Sequence, residues 1–313
     1  MILPPACRKI GTGSLFSDTF CKPKNRTGTF LTACWEMTKP RLSGLVLVTT
    51  FVGFVAASRG VVDAWLLIHT LIGTALVAGG AAVLNQYLER DVDALMRRTM
   101  NRPLPDGRIT PEEALSCGVL LSVAGLLYLA VGVRVVAGLL AALSLGTYLF
   151  CYTPMKRKTS LCTLVGGIPG ALPPMIGWAA ARGTIDAGAW ALGALLFLWQ
   201  QPHFLAIACL HREDYARAGL PMLPVTDTDG AATGRQVLLY TTALLPVSVL
   251  PSVIGLAGSG YGAGALILGG AFCVCAARLA GRPRSLPRAR QLFLASVLYL
   301  PVVLLALICC PRS

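Results

Sequence analysis

The chain has 313 residues, 55% of them hydrophobic and 13% charged, about half the charged share of an ordinary soluble domain. That composition excludes a soluble globule. A net charge of +13 suits nucleic acid, a membrane surface or a phosphorylated substrate equally well, so the placement of the charges has to decide.

The charges cluster between long apolar runs, each near the roughly 20 residues a helix needs to cross the hydrocarbon core. In chain order the runs cover 43–58, 64–88, 114–132, 135–152, 163–181, 188–210, 236–257, 261–280 and 291–310. The pattern predicts an all-α polytopic membrane protein, about nine transmembrane helices bundled around a central cavity. The weakest divider is the glycine-rich stretch from Gly258 to Gly264, without which the count is eight. Nucleic-acid binding is excluded because the basic residues alternate with spans instead of forming one soluble face.

Residues 1–38 read as an N-terminal tail, disordered or targeting, ahead of a single membrane domain over 39–313. The tail is basic and Ser/Thr-rich and has no apolar run of signal-peptide length. Pro4, Pro5 and Pro23 argue against the amphipathic helix that a mitochondrial transit peptide needs. Eleven cysteines are scattered without a CxxC pair, which suits small-hydrophobe packing rather than a metal cluster.

Nine spans put 23 of the 27 Lys and Arg residues on the side of the N-terminus, leaving Arg59, Arg134, Arg182 and Arg312 opposite. The positive-inside rule then predicts a cytoplasmic N-terminus, in a bacterial inner membrane or, alternatively, a mitochondrial inner membrane. Twelve of the 14 acids share that side, and ten of these lie in two loops, 89–113 and 213–229. The orientation rule makes no such demand on acids, so chemistry is the candidate cause.

The second run closes on Asn85, Glu89 and Asp93. On a helix these stand at about 0°, 40° and 80°, while Asp91 points away at about 240°. Three oxygen donors on one face beside Arg97, Arg98 and Arg102 suit Mg²⁺ bridging to a substrate phosphate; the alternative is a solvated helix end whose charges pair locally. The second acidic loop, with Glu213 and Asp214, follows a run containing Gln200, Gln201, Pro202 and His203. Polar groups at membrane depth usually line a cavity, and two acidic clusters over one cavity could hold two Mg²⁺ on one diphosphate. Lys156, Arg157 and Lys158 close the fourth run and would either neutralise that diphosphate or anchor the inner face. His69 reads as a core residue and His211 as interfacial, while His203, next to a helix-bending proline, is a candidate substrate contact.

These segments line up as three motifs: Asn85-x3-Glu89-x3-Asp93 continuing to Arg98 and Arg102-Pro103-Leu104; Tyr152-Thr153-Pro154-x-Lys156-Arg157; and Pro202-His203-Phe204 leading to Asp214-Tyr215 and Pro221-Met222-Leu223-Pro224. Together they resemble the UbiA superfamily of intramembrane prenyltransferases, and within it the haem branch, the protohaem IX farnesyltransferases. Gln200-Gln201 before Pro202 departs from the pattern, where relatives often carry Thr-Pro. The resemblance implies transfer of a farnesyl group from farnesyl diphosphate to a vinyl group of haem b, giving haem O, with Mg²⁺ as cofactor. It implies Asn85, Glu89, Asp93 and Asp214 as catalytic metal ligands, Arg98, Arg102, Lys156 and Arg157 on the diphosphate, and His203 and Tyr152 on haem or substrate. Implied partners are the lipid bilayer and a downstream haem A synthase. A quinone or other aromatic prenyltransferase is the alternative within the same chemistry. A transporter is the alternative from another class, and would more naturally show an isolated acid in mid-span.

Overall fold

The computed structural model describes residues 30–310, which are helical with no β-strand. Nine of the described helices are long and apolar enough to cross a membrane: Pro40–Ser58, Ala64–Leu88, Pro111–Gly132, Val135–Met155, Cys162–Arg182, Ala187–Leu210, Ala231–Val253, Ser259–Ala280 and Leu286–Cys309, here the first to ninth spans. They match the apolar runs in number and order. The doubtful divider is a true break: Gly255 takes φ 74°, a conformation open mainly to glycine, and Ser252 Oγ donates to the Gly258 carbonyl at 2.9 Å. The seventh span is Ala231–Val253 rather than 236–257, because Arg235 interrupts the hydropathy without interrupting the helix.

Local chemistry sets the helix ends. Thr110 and Glu113 form a reciprocal capping box at the third span, behind Pro111, satisfying two backbone N–H groups that a helix start leaves unpaired. The only two acids expected on the outer side are also caps. Asp63 accepts from the Leu66 N–H and Asp186 from the Gly188 N–H, each at 3.0 Å.

The fifth and sixth spans form the centre, with 67% and 61% of their most apolar stretch buried against 28% for the third, fourth, seventh and eighth. The first span packs on the fifth, the second on the third, and the seventh on the eighth. The first and fifth approach closely because Gly53 faces the Pro174 carbonyl and Gly177 the Thr50 carbonyl; a Cβ on either would overlap that oxygen. Pro173 removes the N–H that would bond the Pro169 carbonyl. Ser144 Oγ, from the fourth span, donates to that carbonyl instead at 3.1 Å, as a non-aqueous surrounding requires. Leu120, Val131, Ile267 and Leu298 stay exposed on the outside of the bundle, where lipid replaces water as the neighbour.

Of the tail expected over 1–38, residues 1–29 lie outside the described residues. Phe30–Met37 is a helix whose Ala33 and Met37 pack on Val83, Leu104, Ile109 and Ala114. The last residues of that expected tail, from Phe30 on, are thus packed on the bundle, where this short apolar face covers the loop between the second and third spans.

Candidate active site

At its C-terminal end the second span bends. Glu89 leaves helical geometry at φ −102° and ψ 9°, and a single turn follows, Arg90–Asp93. The i to i+4 bonding nevertheless passes through the bend, with the Glu89 N–H on the Asn85 carbonyl at 3.0 Å and the Asp93 N–H on the Glu89 carbonyl at 2.8 Å. Asn85, Glu89 and Asp93 therefore stack, as their spacing predicts, and are only 3%, 4% and 1% exposed. Asp91 points out of the stack, where Arg157 grips it with bonds of 2.6 and 2.8 Å.

Buried carboxylates need partners, and other elements supply them. Lys156 Nζ bonds both Glu89 oxygens at 2.9 and 3.1 Å, and Arg102 bonds Asp93 Oδ2 at 2.5 Å. Asn85 donates to Thr153 Oγ1 at 3.2 Å and accepts from Lys39 Nζ at 3.4 Å. Of the side-chain oxygens in this stack, Asp93 Oδ1 is buried without a hydrogen-bond partner, a costly state that suits a site awaiting a cation.

These groups line one cavity of about 810 Å³, together with Arg98, Tyr148, Tyr152, Phe204 and Tyr215. Tyr148 and Tyr152 stack at 5.6 Å on a π-helical turn, Thr147–Tyr152, in the fourth span. Pro154 cannot donate an N–H to the preceding turn, and a widened turn absorbs that loss. A second, apolar cavity of about 220 Å³ adjoins the first, sharing Leu42, Tyr148, Gly166 and Phe204 and running on between Val46, Val77, Leu145 and Ile176. A polar chamber thus opens into an apolar one.

The chamber's cations crowd one another. Burial, and then the charge of Arg102, lowers the Lys39 ammonium to a pKa of about 7. Burial alone would lower Lys156 as well, but Glu89 outweighs it and holds Lys156 above its ordinary value. A chamber of mutually repelling cations favours a multiply charged anion. Sequence reasoning missed Lys39, counting it only toward the inner-face charge. The residue takes φ 50°, unusual for a side chain with a Cβ, and the Leu42 and Ser43 N–H groups bond its carbonyl there. The one signal available was Pro40 behind it, which marks a helix start. Tyr148 carried no signal of its own, and Tyr215 stood only as part of the third motif, with no role given to it.

Three expected residues lie elsewhere. Arg157 is spent on Asp91 and the Leu88 carbonyl and does not line the chamber, because it follows Lys156 by one residue and so is turned about 100° away from it. Asp214 pairs with Arg217 at 2.9 Å and faces a separate cavity, while its neighbour Tyr215 faces the chamber. His203 stacks on Trp199 and Phe293 with ring centroids 4.9 and 5.2 Å away, and its Nδ1 meets Ser296 Oγ at 2.8 Å; the next residue, Phe204, reaches the chamber instead. His69 bonds the Tyr128 hydroxyl through Nδ1, as a core histidine should. Among the described residues no three His, Cys, Asp or Glu side chains gather at one point. The available donor set is Asn85, Glu89 and Asp93, all hard oxygens, which fits a small divalent cation that completes its shell with water and substrate.

The UbiA prenyltransferase family model matches residues 46–297. The chain belongs to the UbiA prenyltransferase family. It is 48% identical over 277 residues to the protoheme IX farnesyltransferase of Solibacter usitatus (strain Ellin6076), covering 86% of this chain and 94% of that one. It is 46% identical over 273 residues to the enzyme of that name from Anaeromyxobacter sp. (strain Fw109-5), covering 87% and 90%. Among solved structures, this UbiA-family chain shares the fold of a digeranylgeranylglyceryl phosphate synthase, at a TM-score of 0.76 and 18% identity over 90% of this chain and 98% of that one. It also shares the fold of a UbiA homologue from Archaeoglobus fulgidus bound to GPP and Mg²⁺, at a TM-score of 0.68 and 14% identity over 88% and 99%.

Proposed function

We propose that this prenyltransferase transfers the farnesyl group of farnesyl diphosphate to a vinyl group of haem b, giving haem O, in the inner membrane of a bacterium with the N-terminus in the cytoplasm. The names of the bacterial relatives support the substrate pair, and the Lys/Arg distribution supports the orientation. The observation that carries the reading is the stack of Asn85, Glu89 and Asp93, buried among four cations at the mouth of an apolar cavity. A prenyl diphosphate has the same two-part chemistry, a polyanionic head and an apolar tail.

Asn85, Glu89 and Asp93 would hold Mg²⁺, which supplies charge neutralisation to the diphosphate when bound. Asp214 sits beyond the Tyr215 wall, so the metal reading rests on the other three. Arg98, Arg102, Lys156 and Lys39 take up negative charge as the C1–O bond of the substrate breaks and diphosphate leaves. Tyr148, Tyr152 and Phe204 keep water from the allylic cation left behind. The terminal vinyl carbon of haem bonds to C1, and water adds to the adjacent carbon with loss of a proton, which leaves the hydroxyl of haem O. In this reading the product passes to a haem A synthase. The test is the purified protein with haem b, farnesyl diphosphate and Mg²⁺, with products read by mass spectrometry. Haem O is expected; prenylation of a quinone ring precursor but not of haem would overturn the assignment.

A further inference from the structure

A third cavity, of about 660 Å³, lies at the same end of the bundle as the chamber, between the inner ends of the sixth, seventh and ninth spans. It is built like the chamber in one respect and unlike it in another. Arg97, Arg212 and Arg284 reach it with no hydrogen-bond or ion-pair partner among the described residues, whereas its acids are largely spent. Asp214 is paired with Arg217. Asp227 accepts from the Gly230 N–H, the Thr233 N–H and the Thr233 hydroxyl, and these bonds hold its carboxyl below the usual range against the opposing pull of burial. Among the described residues Glu213 is the one acid there without a partner, so three free cations face one free carboxylate. Leu210, Val225 and Leu286 supply an apolar wall.

We propose that this cavity binds the phosphate headgroup of an anionic phospholipid, with the first acyl carbons along Leu210, Val225 and Leu286. The inner ends of spans lie at headgroup depth, and a basic pocket between span ends at that depth is the form such lipid sites take. Depth and the apolar wall favour a lipid over a free phosphate, which would need neither. The cavity also abuts the chamber: Arg97 and Asp214 face the lipid site, while Arg98 and Tyr215, their next neighbours in sequence, face the chamber. Successive Cα atoms are about 3.8 Å apart, so the dividing wall is a single backbone thick, and an occupied lipid site braces the segments that carry Arg98 and Tyr215.

The experiment uses the full chain in detergent and in nanodiscs, with lipid binding read by native mass spectrometry and stability by thermal unfolding, neither of which depends on what the enzyme prenylates. Phosphatidylglycerol and cardiolipin should bind and raise the unfolding midpoint, and phosphatidylcholine should not. Each arginine removed should weaken binding about five-fold, so Arg212→Gln with Arg284→Gln should lose roughly 25-fold. Arg290→Gln, the same charge change outside the cavity, should lose nothing. If the double variant folds poorly, Arg284→Gln alone should show the single step. Unchanged binding in the double variant, an equal loss in Arg290→Gln, or displacement of the lipid by millimolar inorganic phosphate would each overturn the proposal. A rise in the KM for haem b with unchanged lipid binding would overturn it too, by giving these arginines to the carboxylates of haem.

Discussion

The two acidic loops, which lie at one end of the bundle, use their carboxylates in opposite ways. In the first, Glu89 and Asp93 are buried at 4% and 1% exposure; Glu89 is met by Lys156 from the end of the fourth span and Asp93 by Arg102 from further along the same loop. In the second, Asp227 bonds the N–H groups of the next few residues, and Asp214 pairs with Arg217 three residues on. Local pairing of the second kind closes a turn and satisfies those two carboxylates. Pairing in a buried chamber leaves Asp93 Oδ1 unsatisfied, and chemistry can use that unmet need.

The largest effect should come from breaking the first loop's stack. Asp93→Asn should lower haem farnesylation about 100- to 1,000-fold while circular dichroism shows an unchanged helical protein; near-normal turnover would remove the first loop's special standing. Next, Lys156→Met leaves Glu89 buried without a partner and should cost about 3 kcal/mol of stability. Adding Glu89→Gln should recover much of that stability without recovering activity, and thermal unfolding alongside turnover checks both halves. In the second loop, Asp227→Ala should cost about 1–2 kcal/mol through lost capping, with turnover per folded molecule within about two-fold of the parent, a bound set by purely local bonding. The smallest effect belongs to Asp91→Asn, because an exposed pair with Arg157 is worth less than about 1 kcal/mol. A loss at Asp91 as large as at Asp93 would show that the facing of the stack does not matter.

Much of this was legible in the chain itself. Nine spans could be drawn because lipid demands about 20 apolar residues from each, and the i to i+4 spacing of Asn85, Glu89 and Asp93 survived the bend at Glu89 because backbone bonding crosses it. Lys156 and Arg102 could be named from charge alone. Lys39 could not, since its place in the chamber depends on a left-handed backbone at residue 39 and on how the first span leans toward the second. Arg157, Asp214 and His203 failed for one shared reason. Each adjoins a residue that does face the chamber, Lys156, Tyr215 and Phe204, and a motif read along the chain does not separate neighbours that a helix turns 100° apart.

The most direct measurement is electron paramagnetic resonance of Mn²⁺, a stand-in for Mg²⁺ at oxygen ligands, titrated into the purified protein with the unreactive analogue farnesyl thiodiphosphate. The parent protein and Asp227→Asn should both show analogue-dependent bound Mn²⁺, and Asp93→Asn should show none. Bound Mn²⁺ undiminished in Asp93→Asn, or lost only in Asp227→Asn, would place the metal and the diphosphate outside the first chamber and contradict the account.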